Sequence, residues 1–565
     1  MRQSDRSGSF FSKLKTFIKA HPAQLFLALL FAVLSAATLA VCLPELIGRI
    51  SYEGQEIGNW DTYLYYTVGH ALKEGKIPYA DMYENKPPMI FILAALSYNF
   101  TGGYRLVNFF SAFAFLTILL IPLLFVVLIW KKKKPNALFA SFVFLFVLGG
   151  AAFFTIYAED RSGEVQIEAL GSACVLLSLF FAALTETHSS RRLSFYSPKV
   201  VLNGVFLGLG IMFKEPFLLV GAASVLLFCH SKKDLLYKLF FPLCYAGVTC
   251  VVVLLSAGCI LPYFTIYIKN MFSAHITKYG SPFKRMQNVD KLFADMTNFS
   301  FALPLLVAFA FLAVVYKESA KKYSAHAVRN FFFKFLNALK PLAALYAASF
   351  AVGLGGQYYN HHYIFALPYY LALLLDTADA LLSVNVEVLS AFNGLSAKSQ
   401  KALTTFPLLM CIFALSIFTA AGFRQRPAYK QNEGVIERVR TLKEDAAYLD
   451  GVLDAAGEET YLWIGFNGYN PYAFTKHLPS GPCFAQDPYN FREEDGFFAD
   501  SFKKQLSGVN VIVFCRLDVG VITQETEAYI RENFTVSVPD SVAKARLTAP
   551  ETFVWKLYFR TDAFF

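Results

Sequence analysis

The chain has 565 residues, 56% of them apolar, and a formal net charge of +10. Its mean hydropathy of +0.44 is higher than a water-soluble domain of this length tolerates, so the composition predicts a polytopic α-helical membrane protein. The basic residues fall in short clusters between apolar runs, which is typical of orientation against an anionic inner leaflet and argues against a nucleic-acid partner. Seven of the nine cysteines lie in or beside apolar runs, so no disulfide framework is predicted.

The amino-terminal region combines a basic segment, residues 1–21, with an apolar run that is long enough to cross a bilayer. We expect the basic segment to be cytoplasmic and the run to be an uncleaved anchor. The same pattern predicts about eleven transmembrane helices over residues 22–425, in a multi-pass protein of the cell (plasma) membrane. The predicted crossings lie near residues 22–43, 105–130, 136–157, 167–185, 199–213, 216–229, 239–264, 300–316, 340–355, 363–382 and 403–422.

Basic loops between the crossings set the orientation. Lysine and arginine concentrate near residues 131–134, 191–199, 232–238 and 317–340. The positive-inside rule places these loops in the cytoplasm, and it therefore places the loop 44–104 outside. One basic group lies on the outer side in this assignment, against the positive-inside rule. Three explanations stay open, which are a different topology at this point, an ordinary solvated loop, and a site for a phosphate or lipid head group. This basic group lies between the seventh and eighth crossings and consists of Lys269, Lys278, Lys284, Arg285 and Lys291.

The outer loop carries the most informative residues. Between Gly58 and Pro88 the sequence has five tyrosines. A loop that only connected two helices could have been a short spacer without them. Asp61 lies in a short predicted helix near the lipid surface, where a carboxylate is costly and is retained for function, although Asp is also a favoured helix cap. The apolar segment 87–100 is too short to cross and predicts a helix that lies in the interface. The other charged candidates in this loop are Asp81, Glu84 and Lys86.

The composition changes after Phe423. Charged residues become frequent, and the apolar runs shorten to strand length near residues 461–466 and 509–515. Helical stretches alternate with these runs, which predicts a small extracytoplasmic α/β domain over residues 426–565. This domain carries no phosphate-binding glycine-rich loop and no nucleophile elbow, so we expect it to cap or recognise rather than to catalyse. The helical stretches lie near residues 432–456, 495–507 and 521–532.

The order of motifs in the outer loop resembles that of one class of membrane enzymes. Asp61 is followed by a Gly-x-x-Pro-Tyr-x-Asp turn at residues 75–81 and by an acidic-x-Lys-Pro-Pro sequence at residues 84–88. This pattern resembles the first outer loop of GT-C membrane glycosyltransferases in the protein O-mannosyltransferase and lipid A aminoarabinose transferase branch. The resemblance implies a GT-C-like fold, a catalytic base at Asp61 and a lipid-phosphate site at Lys86.

Supporting motifs extend the resemblance over about residues 20–425. The resemblance implies that their polar residues, together with Asp81 and Glu84, bind the phosphate and sugar of the donor. Glycines in a crossing also permit close helix packing, and a His-His-Tyr group also suits an aromatic belt at the interface. The residues of these motifs are Glu168 at the start of the fourth crossing, Gly204, Gly208 and Gly210 before Lys214, and a Gly-Gly pair before His361, His362 and Tyr363.

The sequence departs from this class at two positions. Thr62 stands where many relatives have Glu, and Asn85 separates Glu84 from Lys86. The resemblance therefore does not predict whether this chain uses a metal. It implies no required cofactor, and the binding of a divalent cation stays an open alternative. A divalent cation would take oxygen ligands from acidic side chains. The candidates for those ligands are Asp160, Glu164 and Glu168.

The residues and the resemblance together predict inverting transfer of a sugar from a polyprenyl-phosphate-linked donor, with Asp61 as general base. The acceptor is a hydroxyl of a glycan, lipid or protein at the outer face of the membrane. Phosphate is a competent leaving group once cations meet its charge, and the candidates are Lys86, Lys214 and the cluster from Lys278 to Lys291. Two alternatives remain open, which are a transporter or flippase of lipid-linked sugars and a non-catalytic envelope protein of the same architecture. Transporters commonly contain repeated halves, and the sequence shows no internal repeat, which argues against the transporter or flippase alternative.

Overall fold

The computed structural model describes ten ranges of the chain and a few single positions. The single positions lie between residues 29 and 40, 144 and 148, 283 and 290, and 353 and 375. The predicted crossings at 22–43, 136–157, 300–316, 363–382 and 403–422 fall largely outside the described residues. Within the described residues the chain is a helical protein with several apolar helices, followed by a part that contains a β-sheet. The ranges are 60–101, 105–133, 167–187, 193–229, 231–271, 343–351, 433–465, 471–485, 496–514 and 522–564.

Two short helices flank the loop that the sequence singled out. Residues 74–88 join α1 (Trp60–Lys73) to α2 (Met89–Thr101), and both helices were predicted as short helices. They approach closely at Gly69, where an added Cβ would lie 2.4 Å from the Cβ of Ala94. Apolar side chains of both helices belong to the main hydrophobic core. The loop between them is therefore held at both ends.

The apolar helices follow in chain order. Among the described residues, three helical stretches are long and apolar enough to cross a membrane, namely Phe109–Ile129, Ile167–Leu184 and Lys232–Ser256. Two further apolar helices, Pro198–Phe213 and Phe217–Leu227, are shorter, with 16 and 11 residues. The bounds are α3 (Arg105–Lys133), α4 (Ile167–Leu184), α5 (Pro198–Phe213), α6 (Phe217–Leu227), α7 (Lys232–Ser256, with a π-helical section Leu235–Phe240) and α8 (Ile260–Pro262, continued by the π-helical Tyr263–Ile268).

The structure corrects one predicted crossing. The seventh was expected over residues 239–264, whereas α7 begins at Lys232 and ends at Ser256. Gly258 has a φ of +65°, in the left-handed region that favours glycine, and this residue separates α7 from α8. The sequence hid the break because apolar residues continue on both sides of it, so periodicity alone predicted one continuous helix.

Close helix packing accounts for the glycine-rich crossing. An added Cβ at Gly204 would lie 2.3 Å from the carbonyl oxygen of Pro242 in α7, and one at Gly208 would lie 2.7 Å from that of Ala246. Such distances leave no room for a side chain, so these glycines let α5 lie directly against α7. Of the two explanations that the sequence offered for these glycines, the structure supports packing.

A buried polar network lies where α4 ends and α5 begins. Glu168 lies at the opposite end of α4. Asp234 forms an ion pair with Lys238 at 2.9 Å and accepts a hydrogen bond of 2.6 Å from the Thr187 hydroxyl. Asn203 donates to the Lys238 carbonyl oxygen at 2.8 Å and accepts a hydrogen bond of 2.6 Å from Ser178. Each of these buried groups therefore has a partner, and the network ties the helix ends together.

The carboxyl-terminal part is built on a mixed five-stranded sheet with the strand order β2-β1-β3-β5-β4. The strands are β1 (Thr460–Ile464), β2 (Leu478–Pro479), β3 (Val511–Phe514), β4 (Phe534–Thr535) and β5 (Lys556–Arg560). The helices are α9 (Glu433–Ala456), α10 (Gly496–Gly508), α11 (Gln524–Asn533), α12 (Asp540–Lys544) and α13 (Thr561–Phe564).

The sheet combines parallel and antiparallel pairs. β1 pairs in parallel with β2 and β3, whereas β5 is antiparallel to both β3 and β4. Ile512 marks the register, because it lies opposite Leu462 on β1 and Tyr558 on β5. The predicted helices of this region are present as α9, α10 and α11. The antiparallel strand β5 was not predicted, because charged residues at both of its ends interrupt its apolar pattern.

Candidate active site

The loop between α1 and α2 folds into a tight turn around Tyr79, whose φ of 69° is unusual for a residue with a side chain. The Tyr79 amide donates a 2.6 Å hydrogen bond to the carbonyl oxygen of Met82. The carboxylate of Asp81 accepts a 2.8 Å hydrogen bond from the amide of Ile77. Asp81 therefore stabilises the turn itself, and its predicted contact with the donor stays a prediction. The Tyr79 hydroxyl donates to the Lys86 carbonyl oxygen at 2.8 Å.

Lys86 and Glu84 form an ion pair at the end of this turn. Their charged atoms are 3.4 Å apart, and the Lys86 ammonium group also donates to the side-chain oxygen of Asn85 at 2.6 Å. The Glu84 side chain is 1% exposed and that of Lys86 is 14% exposed. Burial of a charge at this depth requires a partner, and each residue supplies one to the other.

The electrostatics of Lys86 connect the loop to residues on two helices. Burial would lower the pKa of the Lys86 ammonium group, but the negative charges of Glu84, Asp61 and Glu168 outweigh it and raise this pKa above its usual value. Lys86 is therefore a permanent cation at neutral pH. Asp61 and Glu168 are close enough to Lys86 to act on it, although they come from α1 and α4.

Asp61 lies in the first turn of α1 and is partly buried. Because the helix begins at Trp60, Asp61 is inside the helix and is not the residue that precedes it. α1 therefore brings a carboxylate close enough to Lys86 to act on the ammonium group of that residue.

Glu168 and Lys214 form a second buried ion pair. Glu168 lies in the first turn of α4 and is 3% exposed, and Lys214 follows the last residue of α5. The backbone amide of Lys214 donates to the carbonyl oxygen of Gly210, and its ammonium group lies 5.1 Å from the centre of the Phe365 ring. Because α4 ends where the connection to α5 begins, the start of α4 and the end of α5 lie at the same end of the helices.

One carboxylate near this site was not predicted from the sequence. Glu215 follows Lys214 and accepts hydrogen bonds from the hydroxyls of Tyr267 and Tyr263, both in α8. The Tyr267 ring lies 4.8 Å from the Tyr79 ring, measured between ring centres. The segment that carries Lys214 is thereby connected to the turn that holds Lys86. A Lys-Glu-Pro sequence between two apolar runs was the available signal, but its tyrosine partners are distant in the sequence.

The carboxyl-terminal part covers this end of the helical part. The Tyr98 hydroxyl of α2 donates to the Ala473 carbonyl oxygen at 3.2 Å, and the Tyr63 ring of α1 lies 5.6 Å from the Phe474 ring. The amide of Tyr83 donates to the Pro482 carbonyl oxygen at 3.2 Å. The loop is therefore enclosed between the helices and the sheet-containing part.

The structure thus brings together five predicted site residues, three carboxylates and two ammonium groups. His361, His362, Tyr363, Asp160 and Glu164 lie outside the described residues. Within the described part of the chain, no three acidic, His or Cys side chains are arranged to hold a metal ion. Two cations can meet the charge of a phosphate, and a carboxylate beside them can accept a proton. The five residues are Asp61, Glu84, Lys86, Glu168 and Lys214.

The whole chain is similar in structure to solved membrane proteins. ArnT from Cupriavidus metallidurans in the apo state matches at 12% identity with a TM-score of 0.48, over 92% of this chain and 96% of that chain. ArnT bound to undecaprenyl phosphate matches at 10% identity with a TM-score of 0.43, over 95% and 98%. An archaeal oligosaccharyltransferase, AglB from Archaeoglobus fulgidus, in complex with an inhibitory peptide and a dolichol-phosphate, matches at 13% identity with a TM-score of 0.37, over 88% and 70%.

These structural neighbours are GT-C glycosyltransferases, the class that the outer loop resembles. Their TM-scores are below 0.5 and their identities are low, so they do not establish an activity for this chain. No protein-family model matches the sequence, and no curated protein is similar to it.

Proposed function

We propose that this chain transfers a sugar from a polyprenyl-phosphate donor to a hydroxyl acceptor at the outer face of the membrane. The observation that supports this most is the convergence of Asp61, Glu84, Lys86, Glu168 and Lys214 at one end of the apolar helices. A lipid-linked sugar has its hydrocarbon tail in the bilayer and its reactive carbon at the interface. An enzyme for it needs lipid-facing helices and a polar site that meet there.

The two lysines serve the phosphate. When the bond between the anomeric carbon and the phosphate oxygen breaks, the electron pair stays on that oxygen and increases the negative charge of the phosphate. Lys86 and Lys214 stabilise this charge, which makes protonation of the leaving group unnecessary. Because both lysines are mostly buried, their interaction with phosphate is weakly screened by salt.

Asp61 serves the acceptor. The acceptor oxygen forms the new bond to the anomeric carbon, and its proton passes to the Asp61 carboxylate. General-base catalysis of this kind contributes about 10²- to 10⁴-fold in rate. Attack from the face opposite the phosphate inverts the anomeric configuration.

Glu84 and Glu168 keep the lysines charged and oriented. Each carboxylate pairs with one lysine and offsets the free energy that burial of an ammonium group costs. Sugar hydroxyl groups are further partners for these carboxylates in our proposal. The residues therefore divide into a phosphate side with the two lysines and an acceptor side with Asp61.

The proposed orientation follows from the basic loops. Residues 22–425 form the transmembrane domain in the plasma membrane, with the loop 44–104 outside. Residues 426–565 form an extracytoplasmic domain that covers the site, and the segment 1–21 is cytoplasmic. Cysteine-scanning with a membrane-impermeant maleimide at position 76 in intact cells tests this orientation, since labelling is expected only if the loop is outside. The Lys76 side chain is exposed in the structure.

A product assay tests the reaction. The full-length protein in nanodiscs is given tritiated polyprenyl-phosphate hexoses and pentoses, one at a time, with membrane lipids or glycans as acceptors. We expect release of free polyprenyl phosphate and a glycosidic product of inverted configuration by NMR. A transporter would instead move the intact donor across proteoliposomes without releasing polyprenyl phosphate, and that result would contradict our proposal.

A further inference from the structure

We propose that Tyr83 is a positioning residue through which the carboxyl-terminal α/β part holds Glu84 and Lys86 in place. This inference rests on the proposed function, because it assigns a role to contacts that border the proposed donor site. Tyr83 directly precedes Glu84 and is 5% exposed. Its amide bonds to Pro482 and its ring packs against Phe498, so it acts on Lys86 through the chain that follows it.

The side chain of Tyr83 is buried in the core of another part of the chain. Its ring lies edge-on to Phe498 of α10, with 4.8 Å between ring centres, and 6.0 Å from Phe497. Tyr83 belongs to the same apolar cluster as Leu462 and Ile512 of the sheet. The neighbouring loop residues Tyr79 and Met82 instead belong to a larger cluster that includes the apolar helices, and the Tyr79 ring packs against Tyr267 of α8. The loop therefore changes partners at Tyr83.

The surface that receives Tyr83 is itself fixed. The Tyr83 amide donates to the carbonyl oxygen of Pro482 at 3.2 Å. The next residue, Cys483, donates its amide hydrogen to the side-chain oxygen of Gln505 at 3.1 Å, and the Gln505 amide group donates to Ser480 at 2.9 Å. Gln505 lies in α10, so the segment 480–483 is attached to the helix whose Phe498 contacts Tyr83. A movement of this helix would be transmitted to the loop.

Two anchors then define the position of the ion pair. Tyr79 holds the loop from the helical side, because its hydroxyl donates to the Lys86 carbonyl oxygen and its ring contacts Tyr267. Tyr83 holds the loop from the sheet side. Glu84 and Lys86 follow these anchors within three residues of Tyr83, which leaves their backbone little freedom to move away from Glu168.

The contact is distinct from the other attachments between the two parts. Tyr98 of α2 donates to Ala473, and Tyr63 of α1 contacts Phe474. Neither attachment lies in the loop that carries Glu84 and Lys86. Tyr98→Phe therefore provides a matched control, because it removes one hydrogen bond between the same two parts and leaves the loop intact.

The test compares Tyr83→Ala, Tyr83→Phe and Tyr98→Phe in the full-length protein in nanodiscs. Misplacement of a binding group by about 1 Å can cost about 10²-fold in rate, so we expect Tyr83→Ala to lower kcat/KM by about that factor with a raised KM for the donor. Tyr83→Phe keeps the ring contacts and should retain activity. A lowered kcat at unchanged KM in a folded Tyr83→Ala protein, or an unchanged kcat/KM, would overturn the positioning role. If Tyr83→Ala does not fold, Tyr83→Leu replaces it.

A second measurement needs no catalytic activity. Burial raises the pKa of the Cys483 thiol to about 12, so N-ethylmaleimide should modify it slowly at pH 8 in the wild type. We expect faster modification of Cys483 in Tyr83→Ala, by peptide mass spectrometry, together with faster hydrogen exchange over residues 77–86. Unchanged labelling and exchange would overturn the inference. A wild type that never releases polyprenyl phosphate would instead overturn the proposed function, while labelling and exchange still report on Tyr83.

Discussion

Glu168 binds the ammonium group of Lys214 and also raises the pKa of Lys86, so one carboxylate acts on both lysines of the site. Glu168 opens α4, Lys214 follows α5, and Lys86 lies in the loop between α1 and α2. The pairing therefore depends on the tertiary arrangement of three separate segments. A polar site of this kind inside an apolar protein is costly to maintain, which favours a functional reason for it.

We expect Glu168→Gln to destabilise the protein and to abolish donor binding. Removal of one partner of a buried ion pair typically costs about 3–5 kcal/mol, because the remaining charge stays buried without compensation. The double variant Glu168→Gln/Lys214→Met should recover thermal stability but not activity. Differential scanning fluorimetry and the product assay check the two effects. Normal turnover by the double variant would remove Lys214 from the phosphate site.

We expect Lys86→Gln to weaken binding of polyprenyl monophosphate by about ten- to a hundredfold, because a hydrogen bond to a charged group contributes about 1.5–3 kcal/mol. Titration by native mass spectrometry measures this affinity. Since the pKa of Lys86 is raised above its ordinary value, its contribution should stay constant up to about pH 10. Lys132→Gln is a suitable control, because Lys132 is an exposed lysine paired with Glu186 at 2.7 Å. Equal affinity of both variants would contradict a phosphate contact by Lys86.

Acid should weaken the packing of α1 against α2 through His70, whose ring stacks on that of Tyr98. Burial lowers the pKa of His70 below its ordinary value of 6.5; Glu74 and Asp450 act in the opposite direction, and Lys73 adds to the lowering. The unfolded chain then takes up the proton first as pH falls. The stabilisation is fully present above about pH 6.5 and is lost as pH falls through this value towards the lower folded pKa.

The variant His70→Gln should remove this pH dependence. The His70 ring stacks on Tyr98, with 5.0 Å between ring centres, and Gln keeps a polar side chain without a proton that titrates. We expect the difference in melting temperature between pH 8 and pH 5 to be smaller in the variant than in the wild type. An identical difference in both proteins would show that other groups determine the acid sensitivity.

The glycines of α5 offer a test of helix packing. Gly204→Ala places a Cβ 2.3 Å from the Pro242 carbonyl oxygen, and such overpacking typically costs about 1–3 kcal/mol. Gly247→Ala in α7 is the matched control, because an added Cβ there meets nothing within 4 Å. We expect Gly204→Ala to lower the melting temperature and Gly247→Ala to leave it unchanged. Equal stability of the two variants would contradict the packing of α5 against α7.

The sequence predicted much of the site and of the helices that carry it. The loop motif indicated Asp61, Glu84 and Lys86, which the structure places near one another, and apolar runs located α3, α4, α5 and α6. Position in the sequence could not show that Glu168 would pair with Lys214, since that contact depends on how α4 lies against α5. The roles of Glu215 and Tyr83 were missed for the same reason, because their partners lie in α8 and α10. The sequence did not show that the Asp81 carboxylate stabilises the turn, where it accepts a hydrogen bond from the Ile77 amide.

In the proposed reaction Asp61 accepts the proton of the acceptor hydroxyl beside a phosphate site. Single-turnover release of polyprenyl phosphate by Asp61→Asn, at a saturating concentration of labelled donor, tests it most directly. We predict a rate at least about 10²-fold below that of the wild type, with unchanged donor affinity and melting temperature, whereas Glu186→Gln at the exposed surface retains the wild-type rate. A wild-type rate of release by Asp61→Asn would show that Asp61 is not the general base.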